Sequence, residues 1–264
     1  MLKIENVRKV FNEGTVNEKV ALNGLNLHLK PGDFVTVIGG NGAGKSTMLN
    51  AVAGAYPVDE GKILIDGVDV TKLPEYKRAK FIGRVFQDPM MGTAATMQIE
   101  ENLALAARRG KPRTLRTGIS SKEREEYREK LKILDLGLEE RLTAKVGLLS
   151  GGQRQALTLL MATLQEPKLL LLDEHTAALD PKTAAKVLEA TQRIVEQSNL
   201  TTLMITHNMR DAITYGNRLV MMYDGHIVVD VSGEEKKNLT VEQLLALFSK
   251  ASGSDEANDK LLLG

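Results

Sequence analysis

The segment GGNGAGKST at residues 39–47 constrains the fold more than any other stretch. It matches the phosphate-binding loop pattern G-x-x-x-x-G-K-[ST] without a gap. An apolar, β-branched run at 34–38 precedes it, and residues rich in helix formers follow to Gly54, so strand, loop and helix come in the required order. Glycines allow successive backbone N–H groups to point inward, and the new helix adds its positive N-terminal end. The segment therefore predicts a nucleotide-binding site.

Two side chains of this segment carry the predicted chemistry. Lys45 can reach the β- and γ-phosphates, and the Ser46 hydroxyl is placed to ligate Mg²⁺. The alternative is a glycine-rich turn that merely connects a strand to a helix. Four glycines together with a Lys-Ser pair in this context argue against that alternative.

The composition excludes several classes of protein. The 264 residues carry 35 Lys and Arg against 34 Asp and Glu, so the net charge of +1 gives no sign of a nucleic-acid or membrane-surface binder. Without cysteine, the chain has neither disulfides nor thiolate metal sites. The charged start at 1–5 does not resemble a signal peptide, and no apolar run approaches the roughly 18 residues that a membrane span requires. We expect a cytoplasmic chain that another polypeptide holds at any membrane where it works.

The remaining pattern predicts an α/β chain with a helical insert. Alternating residues at 2–7 and 25–29 predict N-terminal strands, and Asp66-Gly67 predicts the turn of a hairpin over 62–70. Helical patterns at 98–107 and 122–136 predict an all-helical insert over about 98–148. The basic run at 108–116 could face phospholipid, RNA or a partner, but nearby glutamates favour a solvated loop.

Three further segments predict polar groups around the phosphate site. Ser150 in LSGGQRQ is a good N-cap, although such a turn alone is a weak signal of an anion site. The buried strand 169–172 ends in Asp173 and Glu174, where the carboxyl ends of parallel strands bind ligands and where the Asp can face Mg²⁺. His207 follows the predicted strand 201–205 at the same crevice edge.

The C-terminal part is predicted to end in a helix and a tail. Asp180-Pro181 is a helix start that predicts a helix to about Gln197, and Thr240 with Gln243 caps a last helix through Phe248. We therefore predict one domain over 1–248 and a disordered tail over 249–264. The sequence indicates no function for the Leu261-Leu262-Leu263 run in that tail.

These motifs resemble the ABC-type ATPases. GGNGAGKST, Gln87, LSGGQRQ, LLLLDE, the segment 178–180 and His207 occur in that family's order over residues 1–248, and LSGGQ between the two nucleotide motifs is highly specific. More narrowly, the chain resembles stand-alone ATP-binding subunits of bacterial uptake systems. The phrases FQDPMMGT and DEHTAALDPKTA resemble a branch associated with amino-acid uptake, of tryptophan or tyrosine.

The resemblance implies a fold and a role for each matching residue. The fold is a P-loop NTPase core with a mainly parallel sheet, an N-terminal antiparallel β subdomain and the helical insert. Position alone favours a packing role for Phe11, but the family assigns it to stacking on adenine. Phosphate contacts are implied for Asn41, Gly42, Ala43, Gly44, Lys45, Ser46 and Thr47. Mg²⁺ contacts are implied for Ser46, Gln87 and, through water, Asp173.

The remaining implied roles concern hydrolysis and a second subunit. Glu174 is the general base, His207 senses the γ-phosphate, and Lys45 and Gln87 complete the catalytic set. The residues that address a nucleotide held by the other subunit are Ser150, Gly152 and Asp180. Two copies in a head-to-tail dimer would then form two composite ATP sites.

The implied partners are a second copy, transmembrane permease subunits and, indirectly, an extracytoplasmic solute-binding protein, with no nucleic acid. The chain would lie at the inner face of the membrane. It departs from the family at Gly40, where Pro or Ser is usual, and at His175, where Pro is common. A second catalytic His at 175 is conceivable, but a non-functional side chain is favoured.

The leading function is therefore that of the ATP-hydrolysing motor of a transporter. Rival functions are a non-transport ABC ATPase acting on ribosomes or DNA, and a P-loop kinase or nucleotide-binding regulatory module. The first usually has two cassettes or a long coiled coil, and neither is present. A kinase has no need of LSGGQ, and a pure binding module has no need of Glu174 together with His207.

Overall fold

The computed structural model describes residues 1–111 and 118–252, and its strands form two sheets. In chain order the strands are β1 Leu2–Phe11, β2 Lys19–Leu29, β3 Phe34–Ile38, β4 Glu60–Ile65, β5 Val68–Asp69, β6 Ile82–Val85, β7 Leu169–Asp173, β8 Thr201–Ile205, β9 Arg218–Tyr223 and β10 His226–Ser232. The N-terminal sheet has the order β2-β1-β4-β5, and its pairs are antiparallel. The predicted N-terminal antiparallel sheet is confirmed.

The larger sheet sets the position of the functional site. Its order is β10-β9-β3-β8-β7-β6, and each pair is parallel except the β9–β10 hairpin. Because β3, β8 and β7 are parallel neighbours, the segments that follow them meet at one edge. Those segments are the phosphate loop, His207 and Glu174.

Helices cover the larger sheet. They are α1 Lys45–Ala53, α2 Glu75–Arg78, α3 Ile99–Ala107, α4 Ser121–Lys132, α5 Gly151–Thr163, α6 Pro181–Gln197, α7 Met209–Thr214, α8 Gly233–Lys237 and α9 Val241–Ser252. A short 3-10 helix spans Val146–Leu148. The described part of the predicted insert is thus helical apart from loops and one isolated bridge between Gln98 and Lys145.

Apolar side chains divide into three clusters. One cluster joins α3 and α4 of the insert to α5, α6 and one face of the larger sheet. A second lies between the two sheets and encloses the buried face of α1. A third packs α7 and α9 against β9 and β10. The helix that follows the phosphate loop is therefore held between two sheets, which fixes its N-terminus.

Several predicted boundaries need correction. β1 continues to Phe11, because breaks in register after Ile4 and Val7 disturb the alternation from which the sequence predicts a strand. The helix α9 extends to Ser252, four residues beyond its predicted end, so the first residues of the predicted tail are helical. The rest of that tail, with Leu261-Leu262-Leu263, lies outside the described residues, as do residues 112–117 of the basic run. Arg108 at the start of that run pairs with Glu123 at 2.9 Å.

Within residues 1–111 and 118–252, no helix is both long enough and apolar enough to cross a bilayer.

Candidate nucleotide-binding site

A cleft of about 350 Å³ opens at the carboxyl edge of the larger sheet. It brings together the phosphate loop, the strand ends and the N-terminal sheet. Its lining consists of Phe11, Lys19, Ala21, Asn41, Gly42, Ala43, Gly44, Lys45, Ser46, Thr47, Glu174 and His207. Ten of these twelve residues were predicted from the sequence, and only Lys19 and Ala21 were not.

The phosphate loop depends on glycine for its shape. Gly44 has φ +101° and is the residue before α1, and a Cβ there would lie 2.5 Å from the Ala21 carbonyl oxygen. Only glycine adopts this backbone and tolerates this approach without strain. The loop therefore lies close against β2 and leads directly into the N-terminal turn of α1, where unpaired backbone N–H groups attract anions.

Lys45 is buried at the base of the cleft, and its ammonium donates hydrogen bonds to the carbonyls of Gly39 at 2.6 Å and Gly40 at 3.2 Å. Burial lowers the pKa of Lys45, and the nearby carboxylates of Glu174 and Asp173 oppose this effect. The cation is thus held close to the loop backbone and to both carboxylates.

Glu174 and His207 form a close pair on the opposite wall. His207 Nε2 lies 2.5 Å from Glu174 Oε2. Glu174 has φ +46°, and its backbone N–H donates to the Ile205 carbonyl at 3.1 Å. A non-glycine residue in the left-handed region costs on the order of 1–3 kcal/mol, and such strain is concentrated at functional sites. This turn ends β7 and places the carboxylate in the cleft instead of continuing along the strand.

Asp173 lies beside the cleft with 17% of its side chain exposed. Burial raises the pKa of Asp173, and the Arg84 guanidinium, whose Nη2 lies 3.7 Å from Oδ2, opposes the rise. Arg84 also donates to Asn50 Oδ1 at 2.7 Å, and Asn50 in turn donates to the Ser46 carbonyl at 2.8 Å. Sequence reasoning missed Arg84, because nothing local to β6 indicates a partner in β7 and α1.

Phe11 lines the outer part of the cleft in a cluster of polar and aromatic groups. Its ring meets Tyr56 edge-on at 5.4 Å between centroids, and Lys9 Nζ lies 5.5 Å from the ring centroid. Lys9 is itself held by Asp59 at 2.9 Å. The ring is therefore supported on one edge and presents an aromatic surface at the mouth of the cleft. Lys19 stands nearby, with no sequence signal beyond its charge.

The other predicted site residues do not line the cleft. Gln87 is exposed after β6. Ser150 caps α5 by accepting a hydrogen bond from the Gln153 N–H at 3.3 Å, and Asp180 caps α6 by accepting from the Thr183 N–H at 3.1 Å. A Cβ at Gly152 would overlap Cγ2 of Thr183, so glycine lets the two helix starts lie against each other. Ser150 and Asp180 are exposed there and form a second polar surface, separate from the cleft, whereas Gly152 is buried against Thr183.

His175 is directed away from the cleft and is 2% exposed. Its Nε2 lies 3.1 Å from Thr191 Oγ1, and that hydroxyl donates to the Val187 carbonyl at 2.8 Å. Since the hydroxyl proton is used, the oxygen accepts from His175, and Nε2 carries the proton. Burial lowers the pKa of His175 to about 4. The favoured interpretation, a side chain outside the chemistry, agrees with this position.

Comparison with known proteins identifies the same family. A family model described as ABC transporter matches residues 22–177. The tyrosine transport ATP-binding protein of Clostridioides difficile is 45% identical, over 95% of this chain and all of that protein. The phosphonates import ATP-binding protein of Lactococcus lactis subsp. cremoris is 34% identical, over 89% of this chain and 94% of that protein.

Solved structures agree in fold. The dimeric, post-hydrolysis ATP-binding cassette MJ0796 bound to ADP and Pi superposes with a TM-score of 0.74 and 31% identity. The match covers 88% of this chain and 98% of that one. The predicted fold class and family are thereby confirmed. Because the family model matches more than half of the chain and a relative is 45% identical over nearly all of it, the protein belongs to the ABC transporter family, as an ATP-hydrolysing subunit of a transporter.

Proposed function

We propose that this chain drives the import of an amino acid or a related small solute. The observation that carries the proposal is the cleft in which Lys45 and the loop amides face the Glu174–His207 pair. The names of the relatives, which include tyrosine transport and phosphonates import, support uptake and favour an amino acid. In this role one domain over 1–248, with the insert at 98–148, works at the inner face of the membrane.

In this proposal ATP lies along the cleft, with its phosphates at the loop and its adenine at Phe11. The amides of 41–47 and the Lys45 ammonium hold the phosphates, because a helix N-terminus and a buried cation both favour negative charge. Phe11 stacks on the adenine ring. Stacking is not specific for a base edge, so discrimination between purine nucleotides is expected to be weak.

The oxygen donors assigned to the metal suit Mg²⁺. Ser46 offers a hydroxyl, Gln87 an amide oxygen and Asp173 a carboxylate, and hard oxygen ligands are those that Mg²⁺ prefers. Within residues 1–111 and 118–252 there is no cluster of three or more His, Cys, Asp or Glu side chains fit to hold a metal. When bound, Mg²⁺ would neutralise charge on the transferring phosphoryl group.

Hydrolysis is assigned to the close pair. Glu174 accepts a proton from a water aligned with the γ-phosphate, and His207 holds the carboxylate in place and contacts that phosphate. Lys45 stabilises the charge that develops on the phosphate oxygens. The strained backbone at Glu174 fixes the carboxylate at the end of β7.

Two copies complete the site. Ser150, Gly152 and Asp180 lie outside the cleft, so in this proposal they contact the nucleotide held by the partner copy. The dimer described for the MJ0796 cassette supports this arrangement. Exposed Gln87 and the helical insert would transmit the change to permease subunits, and a solute-binding protein would deliver the cargo.

The test of the motor is Glu174→Gln, which keeps the shape and removes the base. We expect turnover to fall by about 10²–10⁴-fold while ATP binding survives, and an ATP-bound dimer to accumulate. Size-exclusion chromatography with and without Mg-ATP detects the dimer. The matched control is Glu166→Gln, the same change at an exposed glutamate with φ +45° outside the cleft.

Near-normal hydrolysis by Glu174→Gln would transfer the base role to another residue. If Glu174→Gln loses hydrolysis but forms no ATP-dependent dimer, the ATPase role of this chain stands and the two-copy motor is rejected. Cargo is tested by measuring the uptake of labelled tyrosine in cells whose copy of this chain is replaced by Glu174→Gln or by the control Glu166→Gln. Tyrosine uptake that is equal in the two variants would reject tyrosine as the cargo.

A further inference from the structure

Gln155 connects the helix α5 to the segment that carries Gln87. Its side chain is fully buried, and its Nε2 donates a hydrogen bond to the Phe86 carbonyl at 3.0 Å. Phe86 is the residue directly before Gln87, and the two bonded residues are 69 positions apart in the chain. The bond therefore fixes the backbone from which the Gln87 side chain departs.

The buried amide of Gln155 has a free-energy cost that its contact with Phe86 must offset. Within the described residues, Gln155 Oε1 is buried and has no hydrogen-bond partner. A buried polar atom without a partner is destabilising, and an apolar side chain of similar size would avoid that cost. The side chain contributes one compensating contact, its donation to Phe86, and the carbonyl there can only accept.

Two further contacts hold the same loop against α5. The Arg154 guanidinium lies 2.7 Å from the Met90 sulfur and also donates to the Leu149 carbonyl at 3.1 Å. A Cβ at Gly92 would overlap Cγ2 of Thr158, so this loop approaches α5 closely at its far end too. The loop from Phe86 to Gly92 is thus fixed at its start, middle and end by one helix.

We propose that Gln155 is a positioning residue that sets the position of Gln87 for hydrolysis. The proposal rests on the proposed function, in which Gln87 supplies an oxygen ligand to Mg²⁺. Because α5 begins at the turn that contains Ser150 and Gly152, the same helix carries the surface proposed to face the partner's nucleotide. Gln155 therefore links the Gln87 loop of one ATP site to the helix start that completes the other.

The experiment compares Gln155→Met with Gln165→Met. Gln165 is half-buried and also donates its amide to a backbone carbonyl, that of Ala107 at 2.6 Å, but away from the cleft. We expect Gln155→Met to lower kcat about tenfold, since a displacement of about 1 Å in a catalytic group can cost up to 10²-fold. KM for ATP stays within about twofold, because the phosphate loop is untouched. The control stays within about twofold in both constants.

A double-mutant cycle separates positioning from general stability. With Gln87→Ala already present, Gln155→Met should lower kcat no further, because the residue through which it acts is gone. In the Glu174→Gln background, Gln155→Met should retain the ATP-dependent dimer. If Gln155→Met does not fold, Gln155→Asn keeps the amide, shortens its reach by one methylene and carries the same test.

Four results are decisive. Turnover of Gln155→Met equal to that of the control overturns the proposal, and so do independent effects that multiply in the double mutant. If Gln87→Ala alone keeps normal turnover, the role of Gln87 in the proposed function fails first. A loss with Gln87→Ala but none with Gln155→Met would reject Gln155 alone and leave the proposed function intact.

Discussion

The buried imidazole of His175 makes the stability of this protein sensitive to mild acid. Burial lowers its pKa to about 4, from an ordinary value of 6.5. Above pH 6.5 the imidazole is neutral in both the folded and the unfolded chain. Between pH 6.5 and about 4 the unfolded chain binds a proton that the folded chain does not, so stability falls as the pH falls.

The magnitude follows from the width of this interval. Each pH unit corresponds to 1.36 kcal/mol, so the interval of about 2.5 units gives a loss of about 3 kcal/mol by pH 4. By pH 5 about 2 kcal/mol of that loss is expected, which is a large fraction of the stability of an ordinary domain. The Thr191 hydroxyl offers no acceptor for the added proton, because it already accepts from Nε2 of the neutral ring and the second proton binds to Nδ1.

Urea unfolding at several pH values between 7.5 and 5 measures the effect. Carboxylates also titrate in this range, so the relevant quantity is the difference in pH slope between the wild type and His175→Gln. Gln does not titrate and can still donate to Thr191, so its slope should be shallower. The matched control, His226→Gln, changes an exposed imidazole on β10 and should leave the slope unaltered.

Equal slopes for the wild type and His175→Gln would refute the argument that burial keeps this imidazole neutral. Normal ATP turnover in His175→Gln at pH 7.5 is also expected, because the side chain does not line the cleft. A large loss of turnover there would make His175 part of the chemistry after all.

Four other substitutions, the last of them a compensating one, test the site. Lys45→Ala should weaken Mg-ATP binding about 10–100-fold in a calorimetric titration, because one charge-assisted contact of about 1.5–3 kcal/mol is lost, and unchanged affinity would contradict the phosphate role. Phe11→Ala should cost about 0.5–1.5 kcal/mol of ATP binding in the same titration, whereas equal affinity would limit the ring to its packing on Tyr56. Gly152→Ala should destabilise the fold by about 1–3 kcal/mol in urea, and Thr183→Ser should remove most of that cost by deleting the overlapping methyl group; no rescue would contradict the overlap.

Most of the cleft was predictable because its residues follow strands directly in the sequence. The phosphate loop, Asp173, Glu174 and His207 each come at the end of an apolar run, and parallel strands bring such ends together. The local sequence pattern is then sufficient to predict these cleft residues, even when the neighbouring strands are not known. The order β3-β8-β7 is what the structure adds.

Contacts between distant residues could not be predicted in this way. The helix α8 was missed because its five residues have no apolar periodicity, and its Lys236 is held by three backbone carbonyls, those of Ile213, Tyr215 and Gly216. The burial of His175 depends on the packing of α6 against β7, which are joined in one apolar cluster. The sequence favours a non-functional side chain at His175, but it does not indicate that the imidazole is buried.

Two of the polar contacts that the sequence missed lie around β6, and the place of this strand in the sheet explains why. β6 is an edge strand, so only β7 supplies ladder hydrogen bonds, and one side of its backbone is left for other partners. Gly83 allows α5 to approach that strand closely, since a Cβ there would overlap the Ala162 carbonyl. Arg84 then reaches Asp173, and Gln155 reaches the carbonyl of Phe86 just beyond the strand. The edge strand that leads into Gln87 is thus tied by side chains to β7 and to α5, so a movement of α5 would be transmitted to Gln87.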